Sequence, residues 1–242
     1  MAGFWNSILE FALWVLRFVY MNNINILVIG AQQRYLELQQ KGLPAEGVHW
    51  RRDLEDDAEL DAYQLVIDLD LDEHLRRAGI YARYPQVMVL GCIVRSTLAA
   101  LMGRYAFEQG FNIVGCNWLP GFINMPQTEI SLMDEEQEPV VRELLERLGW
   151  RYTLVQDEVG MVIPRVVCMI INEAYYTAEE GTASREDIDI SMRLGTNYPY
   201  GPFEWCERIG IRNVYEVLAA VLSATGDERY EVSPMLAAEA GG

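Results

Sequence analysis

From residue 24 to residue 155, short apolar runs alternate with polar, helix-like stretches. Residues 24–30 carry Ile26, Leu27, Val28 and Ile29 in succession. A continuous apolar run of this length marks a strand of a parallel sheet covered on both faces, because a solvated face would impose alternation. Further strands are expected at 47–50, 64–69, 86–90, 111–116 and 151–155. Helix-like sequence runs from the first strand to Gly42. A short helix carrying His74 is expected at 72–78, after an acidic connector over 54–61. An amphipathic helix is expected at 134–148, with Val140, Val141, Leu144, Leu145 and Leu148 on its buried side. Strands that alternate with helices predict an α/β fold with a parallel sheet.

From Gly160 the pattern changes. Over 160–180 the apolar residues, among them Met161, Val162, Ile163, Val166, Val167, Cys168, Ile170, Ile171 and Ala174, leave hardly a polar side on a helical wheel. A helix apolar all round is buried, in a core or between subunits. Arg165, Asn172, Glu173 and the Glu179-Glu180 pair favour burial in protein over burial in a bilayer. Gly181 stops this helix. Ser184 with Asp187 three residues later is a capping-box pattern, opening a helix that puts Ile188 and Met192 on one face and ends at Gly195. Pro202 suits the first turn of the next helix, and a final helix is expected at 215–222.

Residues 1–20 are rich in Trp, Phe and Leu but interrupted by Asn6, Glu10 and Arg17. No basic stretch precedes the apolar run and no small-residue cleavage site follows, which argues against a secretory signal. The interruptions argue against a membrane span. One reading is an amphipathic helix lying on a membrane surface or a partner. The other is that the chain starts at Met21, where MNNINILVIG reads as the natural opening of a dinucleotide-binding unit.

Composition narrows the class. The 242 residues have room for one large domain or two modest ones, and 51% are apolar, enough for a core. A net charge of -17 argues against DNA or RNA, whose phosphates need clustered Lys and Arg. Cys92, Cys116, Cys168 and Cys206 are scattered, with no metal-ligand spacing, and read as buried thiols of a reducing cytoplasm. His49 and His74 belong to no Cys/His cluster, so no metal site is expected.

After the first strand, a Rossmann unit carries Gly-x-Gly-x-x-Gly, so that backbone can approach a pyrophosphate at the helix N-terminus. Here the stretch is Gly30-Ala31-Gln32-Gln33-Arg34-Tyr35. Gly30 matches. Gln32 and Tyr35 stand at the other two glycine places, where Gln32 would crowd the phosphates and Tyr35 would hold the helix off the strand. An acid for the adenine ribose belongs about 20 residues further on. Arg51-Arg52-Asp53 occupies that region. Asp53 is the candidate acid and the arginines candidates for a 2′-phosphate; solvated loop charges are the alternative.

Four C-terminal runs identify a family. They are Asn172-Glu173-Ala174, then Glu180-Gly181-Thr182-Ala183, then Asp187-Ile188-Asp189, and Tyr198-Pro199-Tyr200-Gly201-Pro202-Phe203-Glu204. Together they resemble the C-terminal domain of the 3-hydroxyacyl-CoA dehydrogenases. The resemblance implies a Rossmann-like α/β domain with a shortened, mostly parallel sheet over 21–157, behind a 1–20 extension. An all-α dimerisation domain would follow over 158–242. It further implies NAD as cofactor, bound around Gly30, Gln32 and Asp53, an acyl-CoA-type ligand, a homodimer formed through the helical domain, and a cytoplasmic role in fatty acid metabolism.

The same resemblance assigns site residues. Ser96-Thr97-Leu98 fits the family's Ser-Ser-Leu, whose first Ser meets the substrate hydroxyl. In Gly115-Cys116-Asn117-Trp118-Leu119-Pro120, Asn117 takes the place of the catalytic His and Pro120 that of an Asn. Glu129 lies 12 residues later, where the family keeps the Glu that orients the His, and Pro164 stands where the family has an Asn. An Asn amide does not titrate near neutral pH and cannot be a general base; losing such a base costs about 10²–10⁴ in rate. Two functions follow. One is an NAD-dependent dehydrogenase with an atypical site, Ser96 and Asn117 touching the hydroxyl and Glu129 the nearest base. The other is a catalytically impaired, dimeric module that binds an acyl-CoA or a protein partner.

Overall fold

The computed structural model describes residues 24–241 apart from Gln109. The apolar extension over 1–20 and the alternative start at Met21 lie outside the described residues. Seven strands, β1 (Ile26–Ile29), β2 (Val48–Arg51), β3 (Leu65–Asp68), β4 (Met88–Cys92), β5 (Ile113–Cys116), β6 (Gln127–Ser131) and β7 (Arg151–Leu154), form one sheet. Their order is β2-β1-β3-β4-β5-β6-β7. Every neighbouring pair is parallel except β5 and β6. The chain leaves β1 through helix α1 (Gln32–Lys41) to β2, then returns past β1 to β3. The direction of winding therefore reverses between β1 and β3, the switch point at which ligands enter such folds.

Side-chain alternation sorts the strands into two cores. Ile26, Val28, Leu65, Ile67 and Leu90 face one cluster, while Leu27, Ile29, Val66, Val89 and Ile113 face the other. The first cluster continues without a break into the C-terminal helices α5 (Ile163–Glu179), α7 (Pro202–Ile209) and α8 (Ile211–Thr225). Phe122, from the connection between β5 and β6, stacks on Trp205 of α7 at 5.3 Å.

Several expectations need correction. Residues 72–78 are not one helix: a 3-10 turn at Leu71–Glu73 is followed by α2 (Arg77–Tyr81), with His74 between them. The reason is that Asp72 turns inward, accepting the Val94 and Arg95 N–H groups at 3.1 Å each. Strand β6 is not among the expected strands. Its Thr128, Glu129 and Ser131 are polar yet buried, which hid it from an apolar pattern. The helix after Ser184, α6 (Arg185–Thr196), runs through Gly195 and ends at Asn197, which takes the left-handed conformation at φ 57°. Residues 215–222 are the middle of α8, and a further helix, α9 (Pro234–Ala240), follows. Helix α5 is not buried all round: Cys168, Ile171, Asn172, Ala174 and Tyr175 are covered, but Val162, just before it, and Val166 are 53% and 52% exposed.

The resemblance motifs turn out to hold the helices together. Asn172 accepts the Ser233 N–H at 2.8 Å and donates to the Glu231 carbonyl at 2.7 Å, binding α5 to the segment that opens α9. Asp189 reaches from α6 to the start of α7, accepting the Phe203 and Glu204 N–H groups at 2.8 and 3.2 Å. Pro202 opens α7 without an N–H to satisfy. A Cβ on Gly201 would fall onto the Asp189 side chain, so only glycine admits that carboxylate.

Candidate active site at the ends of β4, β5 and β6

Asn117 follows β5 and lies opposite Glu129 on antiparallel β6. The register Cys116↔Ile130 continues into a bond from the Asn117 N–H to the Glu129 carbonyl, 3.1 Å. Both side chains are buried. The Glu129 carboxylate accepts the Ile163 N–H with both oxygens, at 2.9 and 3.1 Å, so it caps the N-terminus of α5, and the Asn117 side chain also bonds it. Burial raises the Glu129 pKa above the ordinary carboxylate value, and the Ile163 and Asn117 hydrogen bonds only partly offset this. The Asn117 amide oxygen is buried without a hydrogen-bond partner among the described residues, an acceptor left for a hydroxyl or N–H donor. Pro164, next to Ile163, has no N–H to add.

Ser96 leaves the same edge of the sheet. It follows β4, whose Cys92 is in register with Cys116. Thr97 caps helix α3 (Leu98–Arg104), its hydroxyl accepting from Ala100 N–H at 3.1 Å. Asp157 fills the rest of that helix start, accepting the Leu98 and Ala99 N–H groups at 2.8 and 2.9 Å. The structure thus brings Asn117 and Glu129 together and places Ser96 after the neighbouring strand β4, with no hydrogen bond from Ser96 to either among the described residues.

The expected cofactor residues fare differently. Gly30 has φ 139°, a backbone conformation that suits glycine. Gln32 lies exposed on the first turn of α1. Tyr35 stands off the strand by stacking on Trp50 at 5.5 Å, and the Trp50 indole N–H donates to the Gly30 carbonyl at 3.1 Å. Asp53 is not free for a ribose: it accepts from Arg77 at 2.7 and 3.1 Å, lies 3.6 Å from Arg76 and caps the Leu54 N–H.

Sequence reasoning missed the residues that fill the switch point. The Arg34 guanidinium, buried, donates to the Leu69 carbonyl at 2.7 Å and pairs with Glu73. The fully buried Arg77 binds Asp68 at 2.9 Å and Asp70 at 2.5 Å, while the Tyr81 hydroxyl donates to Asp68 at 2.6 Å. Burial pushes the Asp68 pKa up to about 7 against the pull of Arg77. Nearby, Arg95 joins Asp72 at 2.8 Å and Glu216 at 3.1 Å, lining a cleft of about 470 Å³ with Glu73, Arg212 and Asn213. Asp70, Glu73 and His74 bring ligand atoms within 4.8 Å of one another, but Asp70 and Glu73 already serve arginines.

This crevice does not fit NAD. A dinucleotide needs an open helix N-terminus and close backbone approach for its pyrophosphate. Here a guanidinium crosses from α1 to the end of β3, and a Cβ built on Gly30 would lie 3.5 Å from the Asp70 carboxylate.

The architecture is that of a Rossmann-type sheet joined through a shared core to a helical domain, with a buried polar pair where the two meet. Residues 160–240 match the family model described as "3-hydroxyacyl-CoA dehydrogenase, C-terminal domain". A 92-residue stretch is 41% identical to the 3-hydroxyadipyl-CoA dehydrogenase of Escherichia coli, covering 38% of this chain and 19% of that protein. Over 200 residues the chain is 26% identical to a probable 3-hydroxybutyryl-CoA dehydrogenase of Deinococcus radiodurans, covering 78% of this chain and 69% of that protein. Among solved structures, FadB2 of M. tuberculosis shares the fold with a TM-score of 0.72 at 17% identity, over 91% of this chain and 95% of that one. Residues 160–240 thus carry the C-terminal domain of the 3-hydroxyacyl-CoA dehydrogenases, and the chain as a whole resembles members of that family in fold. Its matched stretch nevertheless spans only about a fifth of the E. coli relative's length.

Proposed function

We propose that this chain acts on 3-hydroxyacyl-CoA esters as an oxidoreductase that interconverts a 3-hydroxyl and a 3-ketone. The observation that supports the reading is the buried Asn117–Glu129 pair, beside the strand that Ser96 follows. Those residues can do the proton side of the reaction. The Ser96 hydroxyl and the unpartnered Asn117 amide would hold the substrate oxygen, and Glu129, with its pKa raised by burial, is the base within reach. NAD is the hydride acceptor that the family resemblance implies, although the crevice as built does not cradle it.

A 21–157 sheet domain and a 158–242 helical domain that dimerises belong to the same proposal. Exposed Val162, Val166 and Leu194 support a second copy packing there. A cytoplasmic setting belongs to it too, supported by four buried, unpaired thiols. Among the described residues no helix is long and apolar enough to cross a membrane.

The test is acetoacetyl-CoA binding by calorimetry, with NADH-dependent turnover measured on the same samples. Ester binding with turnover abolished by Glu129→Gln supports the reading; no ester binding sinks it. A second reading, ester binding without turnover, is favoured by Asn117 in the base position and by the filled crevice. It predicts binding with no turnover above the Glu129→Gln background.

A further inference from the structure

We propose that Arg34 is a built-in occupant of the dinucleotide crevice, so that a nucleotide enters only by displacing it. This rests on reading the β1–β3 switch point as the family's cofactor site. Three observations carry it: the burial of Arg34, its position and its anchorage. Arg34 lies in the first turn of α1, just after the Gly30-Ala31 turn that would face a pyrophosphate, yet it is only 7% exposed. Arginines are mostly exposed; this one turns inward.

Its guanidinium sits where a diphosphate would. It spans from α1 to the carbonyl of Leu69, the residue after β3, and is held there by Glu73. A cation fixed at that point satisfies the carbonyl and the carboxylate that an entering nucleotide would otherwise meet. The plug is also anchored. Glu73 is shared with Arg95 at 3.5 Å, and Arg95 continues to Asp72, to the Asn213 side chain and to Glu216 on α8. The ionic chain therefore runs from α1 through the sheet edge into the helical domain. Displacing Arg34 would leave Asp70 and Glu73 facing two phosphates, with repulsion added to the lost ion pair.

The test is calorimetric binding of NAD⁺ to the full chain and to two variants. Arg34→Ala/Glu73→Gln removes the plug and its counter-charge together, leaving net charge unchanged. Glu73→Gln alone keeps the shape and loosens the pair. The wild type is expected to bind NAD⁺ more weakly than roughly 1 mM, outside the usual range for enzyme ligands. The double variant should bind at least about tenfold more tightly, and the single variant should lie between. Micromolar binding by the wild type would overturn the proposal. So would unchanged affinity in either variant, once near-ultraviolet circular dichroism shows it folded; if the double variant does not fold, the single one decides. Acetoacetyl-CoA titrated into the same samples separates the two ideas. Loss of ester binding in the wild type counts against the reaction class, whereas nucleotide affinity alone decides the role of Arg34.

Discussion

Asp189→Ala is expected to cost this protein about 3 kcal/mol of stability, a figure that follows from the charged and buried hydrogen bonds it removes. Asp189 is buried, and its two carboxylate oxygens accept the first two N–H groups that α7 has to offer, from Phe203 and Glu204. Pro202 offers none. A hydrogen bond to a charged acceptor is worth about 1.5–3 kcal/mol, and a buried donor left unmade costs about 1–3 kcal/mol. N-cap deletions elsewhere cost about 0.5–2 kcal/mol. Two such bonds, each at the lower end of the charged-acceptor range, sum to about 3 kcal/mol. Asp189→Asn keeps one oxygen acceptor and should cost roughly half as much. The assay is equilibrium urea unfolding, with the midpoint shifted and the slope unchanged. A loss below about 1 kcal/mol for Asp189→Ala would show that water or a rotated Ser or Glu side chain takes over the cap. The effect would reach the site, because α7 carries Trp205, which stacks on Phe122 in the chain between Asn117 and Glu129.

Asn172→Ala should cost about 2–4 kcal/mol in the same assay, since it orphans the Ser233 N–H and the Glu231 carbonyl together. Glu129 holds its proton more tightly folded than unfolded, because burial raises its pKa. Its stability contribution is therefore full below the ordinary Glu value of about 4.3 and is lost as pH rises through the folded pKa. Glu129→Gln should accordingly gain on the wild type as pH rises above the ordinary Glu value of about 4.3 in urea unfolding, and parallel stability curves would refute the shift. Asn117→His places a titrating group beside Glu129 and should raise the single-turnover rate of the proposed reaction by about 10²–10⁴ when both proteins are compared at one fixed NADH concentration. Burial of all four cysteines holds their thiols well above the usual pKa, that of Cys206 at about 11. None should react with a thiol reagent at a pH of about 8 until the chain unfolds.

The sheet was legible where burial and chemistry agree. Ile26–Ile29 and Leu65–Asp68 are short runs that could only be strands covered on both faces, and both sit where their residues predict. β6 was not, because its buried side chains include the polar Thr128, Glu129 and Ser131, and the N–H that Glu129 caps lies on α5, 34 residues away. The site divides along the same line. Asn117 and Glu129 were assigned through the family resemblance, and they do meet. Arg34 was not, because nothing local distinguishes it: its partners Leu69 and Glu73 lie 35 and 39 residues away. Asp53 sits beside the right strand, but Arg77, 24 residues on, takes its carboxylate. Long-range ion pairs of this kind leave no trace in periodicity.

The residues that carry the family resemblance and the residues assigned to the proposed reaction are different sets. Asn172, Asp189, Gly201 and Glu204 carry the resemblance, and each supports the helical domain. Asn172 ties α5 to α9, Asp189 caps α7, Gly201 makes room for that cap, and Glu204 accepts the Gly201 N–H at 2.9 Å. None of them hydrogen-bonds Asn117 or Arg34. A helical domain can therefore keep every one of these motifs while the sheet domain changes its base and fills its crevice, because the two draw on separate interactions. The family match speaks for the fold and the lineage. The proposed action on an acyl-CoA turns on three side chains outside the motifs, Asn117, Glu129 and Arg34, and none of the motif hydrogen bonds that made the relationship visible involves them.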